Sequence, residues 1–225
     1  MYSGEYIAPT LVVDSVVFQI INNTLHVLLI QRTQEPFLNM WALPGGYDAA
    51  GETTREAMER ILNRKAGIKV PNLEYVEQLY TFDTVARDPR GHAVSVTYMG
   101  VGTNIIPVES DTTQQPGFFA VDNLPELAYD HGEIITYAVE RLRSKLTYTN
   151  AAYALLPTMF TLTQLQATYE TVFGREFDKR NFRKKFLSLD LITETSEMLK
   201  EGAHRPARLY KFKKQSLQAL ERSFD

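Results

Sequence analysis

Gly46-Tyr-Asp-Ala-Ala-Gly-Glu52, followed by Arg60-Ile-Leu-Asn-Arg-Lys-Ala-Gly-Ile68, is the stretch whose reading decides the fold. Five residues separate Gly46 from Glu52, seven separate Glu52 from Arg60, and Gly67 and the apolar Ile68 close the pattern. Its middle has helical spacing over 53–65, with Ala57, Ile61 and Leu62 on one face. Thr53 or Thr54 supplies an N-cap hydroxyl, and Gly67 stands where a left-handed C-cap belongs.

Strands surround this helix. Thr10 to Ile21 is rich in β-branched residues and reads as a buried strand; Asn22-Asn23 is turn chemistry and Leu25 to Arg32 the returning strand. Trp41-Ala-Leu-Pro-Gly-Gly46 reads as a short strand running into a glycine turn. Leu73–Phe82, His92–Val101 and Gly117–Val121 are further strands, and Arg87-Asp-Pro-Arg-Gly91 is a turn with two arginines. Glu133 to Leu146 is an amphipathic helix aligning Ile134, Ala138, Leu142 and Leu146. Residues 147–160 are the expected junction, with one domain over 1–150 and a second over 151–225.

Composition narrows the classes. The 225 residues contain no cysteine, which excludes a disulfide framework and thiolate metal sites and fits a reducing compartment. The N-terminus has no signal-peptide pattern, and the apolar run Leu11–Ile21 is broken by Asp14 and Ser15 and too short to span a bilayer, so a cytoplasmic protein with no membrane partner is expected. Net charge is −3, unevenly spread: residues 1–150 hold 11 Lys+Arg against 18 Asp+Glu, and residues 151–225 hold 13 against 9. Halves at −7 and +4 point to two domains with different partners.

The basic half reads helix, turn, helix, hairpin. Thr161 to Gly174 forms the first helix, with Leu165, Tyr169 and Val172 on one face, and Asp178 caps a second over 179–189. On a helical wheel Phe182, Phe186 and Leu189 face the core, while Arg180 and Lys184 point away, flanked by Asn181, Arg183 and Ser188. Leu191-Ile-Thr and Ala207–Phe212 enclose a polar tip. This is the order of a winged helix-turn-helix. Arg forks to guanine, Asn to adenine, and Lys takes phosphates. The expected contacts to double-stranded operator DNA are Lys179, Arg180, Asn181, Arg183 and Lys184 on the helix and His204, Arg205 and Arg208 on the hairpin.

The opening stretch resembles the Nudix box, G-x5-E-x7-R-E-U-x-E-E-x-G-U with U apolar, at Gly46, Glu52, Arg60, Leu62, Gly67 and Ile68. In that family the loop-helix-loop holds divalent metal on carboxylates and cleaves nucleoside diphosphates linked to another group. Where the pattern has R-E-U-x-E-E, this chain has Arg60-Ile61-Leu62-Asn63-Arg64-Lys65, without the three glutamates. Glu52 alone cannot hold a metal cluster, and Glu56 and Glu59 lie about one turn early. The resemblance therefore implies an α/β (α+β) Nudix-type mixed-sheet sandwich with no catalytic residue and no metal site. Arg64 and Lys65 are placed to neutralise phosphates where the metal stood. Arg32, Arg87 and Arg90 are candidates for a pyrophosphate or ribose contact, and Gly45, Gly46, Glu52, Arg60, Phe37 and His131 complete the candidate ligand site. Phe37, Phe82 and Tyr98 are candidates to stack on a base, and Asp130 is expected to cap the helix it precedes.

End to end, the chain resembles the Nudix-related transcriptional regulators of the NrtR family. Asn181-Phe-Arg-Lys-Lys-Phe-Leu187 and His204-Arg-Pro-Ala-Arg-Leu-Tyr210 are similar to that family's recognition helix and wing, and Arg87–Gly91 to its Nudix loop. The resemblance implies a homodimeric bacterial repressor on a palindromic operator, with ADP-ribose as effector and no required cofactor. Some members govern NAD metabolism; others answer to sugar-pathway ligands and govern pentose use, and both branches stay open. So do a weak Nudix hydrolase of ADP-ribose and a winged helix that docks a protein.

Overall fold

The β-branched run at the N-terminal end becomes β1 (Thr10–Ile21), the centre of the sheet in a computed structural model that describes residues 8–109, 114–200 and 206–221. Alternation along β1 sets the layers: Val13 and Val17 face one side, Val16 and Phe18 the other, and all four are buried. Asn22 and Asn23, with φ of 50° and 58°, turn the chain tightly into β2 (Thr24–Gln31). Short strands β3 (Trp41–Ala42) and β4 (Gly45–Tyr47) follow, then β5 (Tyr75–Phe82), β6 (Ala93–Val101) and β7 (Gln114–Ala120). The order is β3-β2-β1-β6-β5, with β4 added to β1 and β7 to β2; β1–β6 is parallel and the other pairings of these strands are antiparallel. Gly45 and Gly46, expected in a turn, are strand residues instead, registered against Asp14 and Val13.

Helix α1 (Thr54–Ala66) covers one face. Thr53 and Glu56 form a reciprocal capping box, and Gly67 closes the helix at φ 65°. Its buried Ala57, Met58, Ile61, Leu62 and Ala66 pack on Val13, Val17 and Leu28. Helix α2 (His131–Tyr148), beginning two residues before the expected Glu133, covers the other face with Ile134, Ile135, Ala138, Leu142 and Leu146 against Val16, Phe18, Leu29 and Met99. The expected mixed-sheet sandwich is what forms.

The chain then passes through a buried 3₁₀ turn at Ala151–Leu155 into α3 (Leu162–Phe173), capped by a Thr161–Gln164 box and by Gly174 at φ 65°. Asp178 caps α4 (Lys179–Ser188) by accepting the Asn181 N–H at 2.8 Å. Strands β8 (Ile192–Leu199) and β9 (Ala207–Phe212) make the hairpin of a winged helix. Tyr169 of α3 meets Phe182 and Phe186 of α4 edge-on, with centroids 5.4 and 5.6 Å away. One core cluster runs without a break from Val16 and Phe18 through α2 to Phe186 and Phe212. The winged helix is thus packed onto the sandwich.

Several hydrogen bonds cross this junction, among them that of the Tyr169 hydroxyl of α3 to Leu146 O of α2 at 3.4 Å. The hairpin turn between β1 and β2 accepts a hydrogen bond at Asn23 O from Thr171 Oγ1 of α3, at 3.0 Å. Arg143 Nε of α2 donates to Val172 O at the end of α3, at 2.8 Å. Among the described residues no helix is long and apolar enough to cross a membrane.

Candidate ligand cavity and nucleic-acid interface

A cavity of about 580 Å³ opens among β1, β4, the loop after β2, the last turns of α1 and the loop before α2. That is within the range of small-ligand pockets. Arg32, Arg60, Arg64, Lys65, Arg87 and Arg90 line it beside Asp14, Glu35, Asp48 and Asp88.

Its floor is a buried polar network centred on Asp14. Asp14 Oδ2 accepts from Ser95 Oγ at 2.6 Å and from Arg87 Nη2 at 3.4 Å. Arg87 also donates from Nε and Nη2 to both oxygens of Asp130, at 2.8 and 2.7 Å. This corrects the capping role expected of Asp130: its carboxylate is taken by Arg87 and makes no cap to α2. Arg87, a candidate ligand contact, lines the cavity with a side chain that is 4% exposed and held between two carboxylates. His131 Nδ1 accepts the Leu43 N–H at 2.9 Å, which places the proton on Nε2, 3.7 Å from Asp14 Oδ1. Burial lowers the His131 pKa, against the pull of Asp14 and Asp130, so the ring is neutral.

The rim carries a ladder of alternating arginines and tyrosines. Arg32 lies over the Tyr129 ring at 4.9 Å, and Arg90 lies 5.9 Å from Tyr129 and 5.8 Å from Tyr47. Asp88 holds Arg90 with two guanidinium bonds of 2.9 and 2.6 Å. The aromatics singled out in the sequence sit elsewhere. Phe37 packs edge-on behind Tyr129, Tyr98 is buried under α1 with its hydroxyl 2.9 Å from Thr54 Oγ1, and Phe82 joins Tyr80 and Tyr137 outside the cavity. Tyr47 and Tyr129, for which the sequence carries no stacking signal, take the wall. Tyr129 marks itself by a φ of 56°, rare for a bulky side chain.

The box residues split. Gly45, Gly46, Arg60, Arg64 and Lys65 line the cavity, whereas Glu52 does not. Glu52 accepts the Ala49 N–H and pairs with Arg60, whose Nη2 also donates to Tyr47 O at 2.9 Å. The pair braces the loop, and the Arg60 bond lowers the Glu52 pKa. Burial lowers the Lys65 pKa, and neighbouring Arg32 and Arg64 add to this while Asp14 opposes it. Cations crowded in this way favour an anionic guest.

A divalent metal, which a Nudix fold implies, does not fit these donors. Ile61 points into the core, Arg64 and Lys65 carry positive charge into the cavity, Glu56 is used in the cap, and Glu59 pairs with Arg55 at 3.3 Å.

On the second domain, Lys179, Arg180, Asn181 and Lys184 are exposed on α4, opposite buried Phe182 and Phe186. Arg183, half-buried, donates from Nη2 to Thr163 Oγ1 of α3 at 3.1 Å. Arg208 on β9 pairs with Glu194 across the hairpin. His204 and Arg205 lie outside the described residues.

Comparison with known proteins fits this geometry. Residues 11–138 match the NUDIX domain model, and residues 152–212 match the NrtR DNA-binding winged helix domain. The chain is 32% identical over 214 residues, 93% of its length and 84% of the relative's, to the ADPR responsive transcriptional repressor NtrR of Acinetobacter baylyi. The chain belongs to the NrtR family. The crystal structure of Shewanella oneidensis NrtR complexed with a 27mer DNA superposes with TM-score 0.81 at 31% identity, over 96% of this chain and 99% of that one. The NUDIX domain of the same NrtR complexed with ADP ribose superposes with TM-score 0.56 at 33% identity, over 61% of this chain and 90% of that one. An ADP-ribose pyrophosphatase of Methanocaldococcus jannaschii is 35% identical over 133 residues, 58% of this chain and 73% of that protein. The NrtR family thus supplies both halves of the architecture, and the pyrophosphatase shares the sandwich half.

Proposed function

We propose that this protein is a transcriptional repressor that holds operator DNA as a homodimer and is modulated by ADP-ribose, bound in the cavity and not cleaved. The observation that carries this reading is the charge on the box helix. The positions that present carboxylates to a metal in the motif present Ile61, Arg64 and Lys65; all three line the cavity, and the latter two are a cation set suited to a pyrophosphate. The names of the relatives from Acinetobacter baylyi and Shewanella oneidensis support ADP-ribose as the guest and DNA as the partner.

In this reading residues 1–150 sense and residues 151–225 read, with Arg180, Asn181 and Lys184 facing the major groove and phosphates. Occupancy is transmitted by α2 and the β1–β2 hairpin. Both start at the cavity floor, at Asp130–Arg87 and at Asp14, and both end on α3, at Arg143–Val172 and Asn23–Thr171. Release of DNA requires that ADP-ribose bind the two arrangements with different affinity.

The test has three arms. DNA selected from a random pool should yield a palindromic site bound by a dimer at roughly physiological salt, ADP-ribose should weaken that complex, and Mg²⁺ should elicit no AMP from ADP-ribose. No sequence-specific complex would sink the regulator reading. Steady AMP release would favour a hydrolase, and release of DNA by a pentose phosphate in place of ADP-ribose would move the protein to the sugar branch.

A further inference from the structure

One aromatic ring on the cavity rim stays more than half exposed, although Arg90 binds its hydroxyl and lies 5.8 Å from its centroid. Tyr47 ends β4 and is 56% exposed, yet both its ends are pinned. Arg60 Nη2 donates to its carbonyl at 2.9 Å, and Arg90 Nη1 donates to its hydroxyl at 3.0 Å. Arg90 is itself clamped by Asp88 and donates onward to the Tyr129 hydroxyl at 3.3 Å. The ring is therefore preorganised while most of its surface faces water. Tyr129 offers no such surface: Arg32 lies over it, Phe37 packs on its edge at 4.7 Å, and His131 is 5.3 Å away. Next to the ring, Asp48 lines the same cavity with a buried Oδ1 that has no hydrogen-bond partner among the described residues.

We propose that Tyr47 is the stacking platform for the adenine of the effector. The inference rests on the reading that the cavity takes ADP-ribose, and it orients the guest. The pyrophosphate lies toward Arg64 and Lys65, and the base lies at the rim on Tyr47, where specificity for a nucleotide over a bare sugar phosphate is set. Phe37, Phe82 and Tyr98, the rings expected from the sequence to stack on a base, do not line the cavity.

Calorimetric titration of ADP-ribose into the full chain tests this, using wild type, Tyr47→Ala, Tyr47→Leu, Tyr47→Phe and Tyr47→Trp, each checked for an unchanged melting curve. Stacking predicts an affinity lower by about tenfold or more for Tyr47→Ala. Tyr47→Leu should be as weak as Tyr47→Ala, because bulk without a π-face does not stack, while Phe and Trp should stay within about threefold of wild type. Leucine performing as well as phenylalanine, or alanine matching wild type, overturns the platform and leaves the effector reading intact. Wild type failing to bind ADP-ribose overturns the effector reading and this inference with it.

Discussion

Gly45→Ala is the smallest change that attacks the cavity floor, and the structure states its consequence in distances. A Cβ at Gly45 would lie 1.8 Å from Asp14 Oδ1, 3.0 Å from Asp14 Cγ and 3.3 Å from Val13 O. Asp14 cannot swing aside freely, because Ser95 holds its Oδ2 at 2.6 Å and Arg87 and His131 face it. Reaching an ordinary contact means moving the carboxylate by more than an ångström, which breaks the Ser95 bond. A charge-assisted hydrogen bond contributes about 1.5–3 kcal/mol, and overpacking costs about 1–3 kcal/mol. The two overlap, so about 3 kcal/mol of destabilisation is expected. Urea denaturation would read this as a midpoint lowered by about 1–3 M at the usual slopes. The neighbouring glycine is the control: at Gly46 an added Cβ meets only the end of Ile61, at 3.3 Å, and Gly46→Ala should cost less than about 1 kcal/mol. If the two alanine variants melt alike, the reading of Asp14 as an immobile anchor is wrong.

Three further outcomes are expected from the same structure. Arg87→Met leaves Asp14 and Asp130 facing each other without their cation and should destabilise by about 3 kcal/mol or more, whereas Arg90→Ala at the rim, whose side chain is 44% exposed, should cost less than about 1 kcal/mol; paired urea melts compare them. His131 has a folded pKa below its ordinary 6.5, so the unfolded chain binds the extra proton first: its contribution is fully present above about pH 6.5 and is lost as pH falls toward the folded value. His131→Asn, which can still accept the Leu43 N–H, should flatten that acid-side slope, and an unchanged slope would mean the proton is taken elsewhere. Arg180→Ala and Lys184→Ala should weaken operator binding and reduce its salt slope by about one for each phosphate left without its cation, with melting unchanged; intact affinity in both variants would remove α4 from the DNA interface.

How much of this is legible in the sequence depends on whether a signal is local. Capping and apolar spacing are local, so α1, α3 and α4 stand where Thr53, Thr161, Asp178, Gly67 and Gly174 put them. The exposed Arg180 and Lys184 follow from the same periodicity. The roles of Arg87 and Asp130 are not legible, because their partnership spans 43 residues and nothing in either neighbourhood announces it. Asp130 before a helix has the composition of a cap, and Arg87 in a turn that of a solvated arginine. One signal for the site does stand in the sequence. Asp14 interrupts a strand otherwise rich in valines, and a carboxylate at 5% exposure in a core strand must have partners. Tyr47 is hidden for the opposite reason: its exposure and its two pins depend on Arg60 and Arg90, which only the fold brings to it.

The size of the coupling needed for regulation sets a limit on how much must move. An effector that weakens DNA binding by about tenfold to a hundredfold needs a difference of about 1.4–2.8 kcal/mol between the two arrangements. That is the scale of a single charge-assisted hydrogen bond. The cavity floor contains such bonds at the base of both elements that reach α3: Arg87–Asp130 at the start of α2, and Ser95–Asp14 on β1. Because one core cluster runs from β1 through α2 into the winged helix, a shift of α2 cannot be absorbed by a slack linker and must be met by repacking against α3. A guest whose phosphates draw on Arg64 and Lys65 alters the field at Asp14, since Asp14 and Arg64 already act in opposite senses on Lys65. On the proposed reading, the exchange of one ionic partner at the floor is therefore sufficient, and no large domain motion is required for a repressor of this design to release its site.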